Sequence, residues 1–484
     1  MINQQEIKKS DHHSSLLRNV VWMVWSGAIS IANSVVLWAV FARWRETAEL
    51  GRFTVVMSMY LIFFMLCTLG LGSYLTSEIA RRPDRRRFIA SAATFFLSWS
   101  MVCLAAMSAA GFLVSASSEV RVATAILSLA MLPTGLISLA ESVFTASGRA
   151  RVIALATTSE NILRTVVPLI LIYCGCGLPV ICLSFVSVRL VACSIYAWVA
   201  RRHLAALAQA RWSLVSEIAT KTPTFAGVTI LATLHGQAVV LLAGRLAGEA
   251  AAAEFGLASR FLIPLWMLLW SYASVMQPTA TRLAAISRTG LGEFLSRSLQ
   301  WVLAFALPIA VGGTLLAREA LGIVYGERYS AAAPVLSLLA WSVVPMGVIM
   351  ITARGLVATG NQHVDLIGNA AALISNLALS LLLIPRYGVI GGATAQLLSV
   401  SVQAALVVGY TTRRFFPVTV WRALGACWWP LALMALVVWQ ARQWGLWGAA
   451  TAGGFVYLAG LFLVQRDKRS WEFGVRSSES RVEN

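Results

Sequence analysis

The 484-residue sequence predicts an all-α, polytopic membrane protein of about fourteen transmembrane helices. Three observations lead there. Of its residues, 58% are hydrophobic and only 12% charged, whereas soluble proteins carry about 45–50% and about 25%. Apolar stretches long enough to cross a hydrocarbon core of about 30 Å, at about 1.5 Å per residue, recur along the whole chain. The basic residues alternate in density from one inter-span segment to the next.

The spans fall near residues 19–41, 53–76, 88–114, 122–146, 152–173, 178–200, 224–247, 254–277, 299–323, 331–353, 364–385, 389–412, 421–441 and 445–465. Residues 1–16 form a polar tail, and the span behind it is too long for a signal-peptide core, so it is expected to be retained. Only Arg442 and Gln443 separate the last two spans, and residues 467–484 form a second tail.

With both tails inside, 26 of the 38 basic residues fall on inner segments, 9 on outer loops and three within spans. Arg81-Arg82-Pro83-Asp84-Arg85-Arg86-Arg87 is the densest inner run. This is the positive-inside pattern, so the net charge of +18 reads as membrane topology with some attraction to anionic lipid. Nucleic acid is not an expected partner, because the charges are spread over eight segments and form no basic reading face. Trp22, Trp44, Trp198, Trp212, Trp301, Trp421 and Trp444 sit at span ends, the preferred depth of an amphipathic ring; Trp266 and Trp270 fall mid-span and require another role. The seven cysteines read as structural thiols, since Cys174-Gly-Cys176 has no further ligand pair beside it. No metal site is expected.

An internal repeat organises the chain. Ala48-Glu49-Leu50-Gly51 returns as Ala253-Glu254-Phe255-Gly256, and Ala146-Ser147-Gly148 as Ala358-Thr359-Gly360. Pro133/Gly135 matches Pro345/Gly347, and Arg201-Arg202 matches Arg413-Arg414. The expected plan is two six-helix lobes, 17–202 and 223–414, related by a pseudo-two-fold along the membrane normal. Residues 203–222 would be an interfacial linker, and 415–466 would add spans thirteen and fourteen.

Charges at bilayer depth are costly and demand a partner or an aqueous cavity. In the fifth span Thr157, Glu160, Asn161 and Arg164 share one helical face, and Glu160 and Arg164 form an i,i+4 pair. The fourth span carries Ser138, Glu141, Ser142 and Thr145 at the same spacing, and the sixth carries Arg189. In the second lobe His235 and Gln237 lie in the seventh span, Arg260 in the eighth, and Gln396, Ser399 and Gln403 in the twelfth. Two readings stand for the first-lobe charges: helix–helix pairing, or contact with a transported group. For Arg260 the expected partner is an anion from outside, since no acid is expected at membrane depth in the second lobe. A guanidinium fork matches phosphate oxygens.

Residues 325–347 (YGERYSAAAPVLSLLAWSVVPMG), 358–364 (ATGNQHV) and 383–399 (LIPRYGVIGGATAQLLS) resemble the second-lobe pattern of polysaccharide biosynthesis exporters, the O-antigen and exopolysaccharide flippases. These belong to the multidrug/oligosaccharidyl-lipid/polysaccharide exporter superfamily. The Ala48–Gly51 block resembles the first-lobe counterpart, and the turn Leu383–Ala393 is the most specific feature. The resemblance implies a two-lobed inner-membrane flippase, working by alternating access and coupled to an ion gradient. Its cargo would be an oligosaccharide on undecaprenyl pyrophosphate, its setting the bacterial inner membrane with both termini cytoplasmic, and its partners the bilayer, a polysaccharide polymerase and export machinery. Arg260, Arg164 and Arg189 would contact the anion, with Gln237, His235 and Asn33 as further lumen groups. Glu141 or Glu160 would couple protons.

Two alternatives remain in view. The first span carries Asn19, Ser26, Ser30, Asn33 and Ser34 but no acid, which disfavours a multidrug cation antiporter. An oligosaccharide polymerase or ligase needs a sizeable outer loop, whereas the longest here run to about ten residues, around Arg43–Arg52. A non-enzymatic transporter is therefore expected. No cofactor is implied, and without a phosphate-binding GxxxxGK[ST] loop ATP is not the direct driver.

Overall fold

The computed structural model describes residues 32–82, 84–115, 117–204, 210–415 and 428–482, and their regular structure is entirely helical. In order these helices are α1 (32–44), α2 (Thr47–Thr68), α3 (Gly72–Arg81), α4 (Arg85–Val114), α5 (Ser118–Ser128), α6 (Met131–Ala146), α7 (Ala150–Tyr173), α8 (Leu178–Leu204) and α9 (Trp212–Leu246). They continue with α10 (Glu249–Arg260), α11 (Ile263–Ile286), α12 (Arg288–Leu315), α13 (Ala317–Tyr325), α14 (Ala333–Trp341), α15 (Val343–Ala358), α16 (Gln362–Arg414), α17 (Trp428–Ala441) and α18 (Gly445–Val482).

Among the described residues ten helices or joined helices are long and apolar enough to cross a membrane, and the bent pair α10–α11 makes eleven. Two of these are hairpins. In α16 the chain reverses at Gly388, whose φ of 59° and ψ of −140° no helix contains. Its arms run antiparallel, for Asn376 bonds Gln396 at 2.7 Å and the Cα of Gly368 faces Val407. Between α17 and α18 the chain reverses through the 3₁₀ turn Arg442–Trp444 and Gly445, whose φ is 81°; Gly453 then packs on Val438 and Gly460 on Pro430. Counting each hairpin as two crossings gives thirteen among the described residues. The first expected span lies partly outside them, with Asn19, Ser26 and Ser30. The chain is thus an all-α, multi-pass membrane protein.

By packing, the chain divides into two compact units, Met1–Gly256 and Leu257–Asn484. This division differs from the repeat-based one by α9 and most of α10. Residues 205–209 of the expected linker lie outside the described residues, and from Trp212 onward it is continuous with α9, a single 35-residue helix.

In the first unit the two AELG-type blocks meet. A Cβ on Gly51 would lie 1.8 Å from the Glu249 carbonyl oxygen, and one on Gly256 would lie 2.4 Å from Thr54. Glycine alone permits so close a backbone approach. Beside this contact Arg52 forms ion pairs with Glu119 and, at 2.9 Å, with Glu249, which joins the second turn of α2 to the first turns of α5 and α10.

The second repeat pair shares its hydrogen bonding. Gly148 and Gly360 have φ of 68° and 75°. Behind them Arg149 N–H reaches Phe144 O at 2.9 Å and Asn361 N–H reaches Leu356 O at 2.8 Å. Both are the glycine-dependent Schellman ending of a helix. Gly135 and Gly347 likewise let α6 and α15 lie close to α4 and α12, against Ser100 and Val302 respectively.

At expected span ends Trp44, Trp198, Trp212, Trp301 and Trp444 are exposed; Trp22 and Trp421 lie outside the described residues. Cys67, Cys103 and Cys182 are buried, whereas Cys174 is exposed.

Candidate functional site

The polar face of α7 meets α8, α6 and α2. Glu160 is buried, 6% exposed, and accepts from Arg189 Nη1 at 2.5 Å. Arg164 Nη1, one turn along α7, stands 3.7 Å from the same oxygen. Arg189 is itself buried, and its Nε donates to Thr134 Oγ1 of α6 at 3.3 Å. Aromatic rings close the cluster: Arg189 lies 5.5 Å from the Phe64 ring, and Arg164 lies 5.7 Å from Tyr60 and 5.4 Å from Phe185. Such desolvated cation–π contacts are worth up to about 2 kcal/mol each.

Glu141 projects from α6 and is half-buried; the Tyr196 hydroxyl donates to it at 3.5 Å. The hydroxyls of its stripe turn back on their own helix, Ser142 to Ser138 O and Thr145 to Glu141 O, the habit of serine and threonine within helices. The structure therefore brings Glu160, Arg164 and Arg189 together. Arg189 is the most enclosed, while Arg164 keeps 24% of its side chain exposed. Asn33 is half-buried on α1, and its Nδ2 meets no hydrogen-bond partner among the described residues.

On α9, His235 is buried and Gln237 half-buried. Two positions apart, they occupy different faces. In the hairpin α16, Asn376 bonds Gln396 and, at 3.2 Å, Ser399, while Ser380 donates to Asn376. All four are buried. The twelfth-span stripe is thus interhelical packing glue.

Arg260 differs from its sequence expectation. It is not seven residues into a continuous span but the last residue of α10, at a 42° break before α11. The cause is Pro264 in the first turn of α11. It has no N–H to offer the Arg260 carbonyl, and its ring crowds that carbonyl. The guanidinium is half-buried, with the Tyr325 hydroxyl as an electrostatic neighbour, and Phe261 meets the Tyr325 ring edge-on at 5.4 Å. A cation at a helix C-terminus is favoured by the helix dipole.

A second cation in this unit escaped the sequence reading. The tenth span is expected to end at residue 353, but α15 continues to its Gly360 cap and so includes Arg354. Its guanidinium lies 5.2 Å from the ring of Trp270 in α11, which gives that mid-span tryptophan its role. Asp365, one turn into α16, acts on it electrostatically, so this unit does hold an acid beside a cation. The signal was available in the repeat: the Ala146–Gly148 turn implied that Ala358–Gly360 ends a helix.

Comparison with known proteins follows this geometry. The family model described as "Polysaccharide biosynthesis protein" matches residues 16–284, more than half of the chain. The chain belongs to this family. A model described as "Lipid II flippase MurJ" matches residues 247–452. A curated relative from Haloferax volcanii, "Probable low-salt glycan biosynthesis flippase Agl15", is 28% identical over 116 residues, which is 24% of this chain and 25% of the relative. The match therefore spans a quarter of that relative's length. Among solved structures, "Lipid II flippase MurJ, inward closed conformation" superposes with a TM-score of 0.74 at 14% identity, covering 93% of this chain and 99% of that one. An inward-facing multidrug resistance MATE family transporter of the MOP superfamily gives 0.61 at 14% identity, over 80% of this chain and 94% of that one. At these identities the likeness is one of fold, shared by a lipid flippase and a multidrug transporter alike.

Proposed function

We propose that this family member is a flippase that moves oligosaccharides linked to undecaprenyl pyrophosphate from the inner to the outer leaflet of a bacterial inner membrane. It supplies extracellular polysaccharide synthesis, with its termini in the cytoplasm, by alternating access of the two repeat-related lobes. It is a transporter and not an enzyme, and a polymerase and export machinery take up its product.

One observation carries this reading: Arg260 stands at the break of a membrane-spanning helix. Broken spans recur where a transporter lines its cavity, because freed backbone groups are tolerated there. A guanidinium at such a break suits a pyrophosphate, which it can grip with parallel hydrogen bonds. In the first unit Arg164 keeps a partly exposed guanidinium beside Glu160. The multidrug alternative shares the fold, but these cations oppose a cationic drug.

The test is complementation of a strain lacking its own polysaccharide flippase. Arg260→Ala is expected to lower export about tenfold or more, the cost of losing a hydrogen bond to a charged group, while Arg260→Lys retains part of it. Normal export by Arg260→Ala at equal protein level overturns the anchor.

A further inference from the structure

The three sides of α11 differ in chemistry. Leu269, Ala273, Met276 and Ala280 pack inward. Leu268, Tyr272 and Val275 form an exposed apolar side, suited to lipid. The third side carries Trp266, Trp270, Ser274, Gln277 and Thr281, at spacings that keep them on one stripe. The stripe runs about 22 Å at helical rise, and Trp270 at its centre is 57% exposed.

Three buried polar atoms on and beside this stripe have no hydrogen-bond partner among the described residues: Trp266 Nε1, Gln277 Oε1 and Arg354 Nε. Buried polar groups are nearly always satisfied, so a group of three calls for a ligand or water to complete it. The group is held in place, since Gln277 Nε2 donates to the Arg354 carbonyl at 3.4 Å and the guanidinium lies over the Trp270 ring at 5.2 Å.

We infer that this stripe is a carbohydrate-recognition track, in which a pyranose ring stacks on Trp270 while its hydroxyls complete Arg354, Gln277 and Trp266. This deepens the flippase reading and rests on it. The unmet atoms are two donors and one acceptor, and a sugar hydroxyl can serve either kind. An acyl chain serves neither. The exposed indole offers an apolar platform with a polar edge, which fits the C–H face of a sugar ring. Arg354 on the same indole excludes an organic cation. The length of the stripe fits several linked sugars and exceeds one.

The experiment uses the full-length protein in nanodiscs and two probes, undecaprenyl pyrophosphate and the same carrier bearing an oligosaccharide. The readout is the ratio of their affinities. Wild type is expected to prefer the glycan-bearing carrier. Trp270→Ala and Arg354→Ala each shrink that preference about tenfold, Trp270→Phe restores part of it, and Arg260→Ala weakens both probes while the ratio survives. A wild-type ratio in Trp270→Ala, or equal loss of both probes, overturns the track and leaves the flippase reading standing. If wild type binds neither probe, both fall.

Discussion

The buried ion pair between Glu160 and Arg189 shows what a single residue does here. The sequence displayed Glu160 and Arg164 as an i,i+4 pair, but the stronger partner comes from another helix, at a separation no local pattern encodes. Removing one member of a buried pair strands the other, at a cost of about 3–5 kcal/mol. Arg189→Ala and Glu160→Ala should therefore lower the melting temperature and yield of the purified protein sharply. Among the described residues Glu141 accepts a long Tyr196 hydrogen bond and forms no ion pair, and we propose it for the coupling role. Glu141→Gln should fold normally and remove the dependence of transport on a proton gradient. A gradient dependence that survives in Glu141→Gln, or a stable Arg189→Ala, contradicts this division of labour.

Whole helices were largely legible, because length, hydropathy and charge alternation act over about twenty residues and average out local exceptions. Two breaks were not, since each depends on one residue: Pro264 ends α10 at Arg260, and Gly360 extends α15 far enough to include Arg354. The reversal of α16 at Gly388 was legible, for it falls between the expected spans 364–385 and 389–412. The repeat blocks showed which glycines matter but not that α2 and α10, which carry two of them, would pack on each other there. Gly51→Ala places a methyl group against the Glu249 backbone, which cannot swing aside as a side chain can. Overpacking of this kind costs about 1–3 kcal/mol or more. In contrast, Gly236 of α9 has nothing within 4 Å of its Cβ position, so Gly236→Ala should be neutral or slightly stabilising through helix propensity. Comparing the melting of the two variants in detergent checks the α2–α10 contact; equal melting contradicts it.

For the whole molecule, the charge of +18 separates into a topological part at the membrane surfaces and a small buried part. In the first unit Glu160 and Glu141 face Arg164 and Arg189, and the cluster is largely self-compensated. The second unit sets Arg260 at a helix break and Arg354 on an exposed tryptophan, beside the orphaned polar atoms of α11. We propose these as the anion anchor and the sugar platform that a pyrophosphate-linked glycan requires. The central claim is movement of this lipid, and it is tested most directly in proteoliposomes. A lipid-linked oligosaccharide is confined to the inner leaflet, and its exposure to an externally added glycosidase is followed over time. Wild-type protein should render the glycan cleavable while protein-free vesicles and Arg260→Ala vesicles protect it; equal protection in all three would contradict the account.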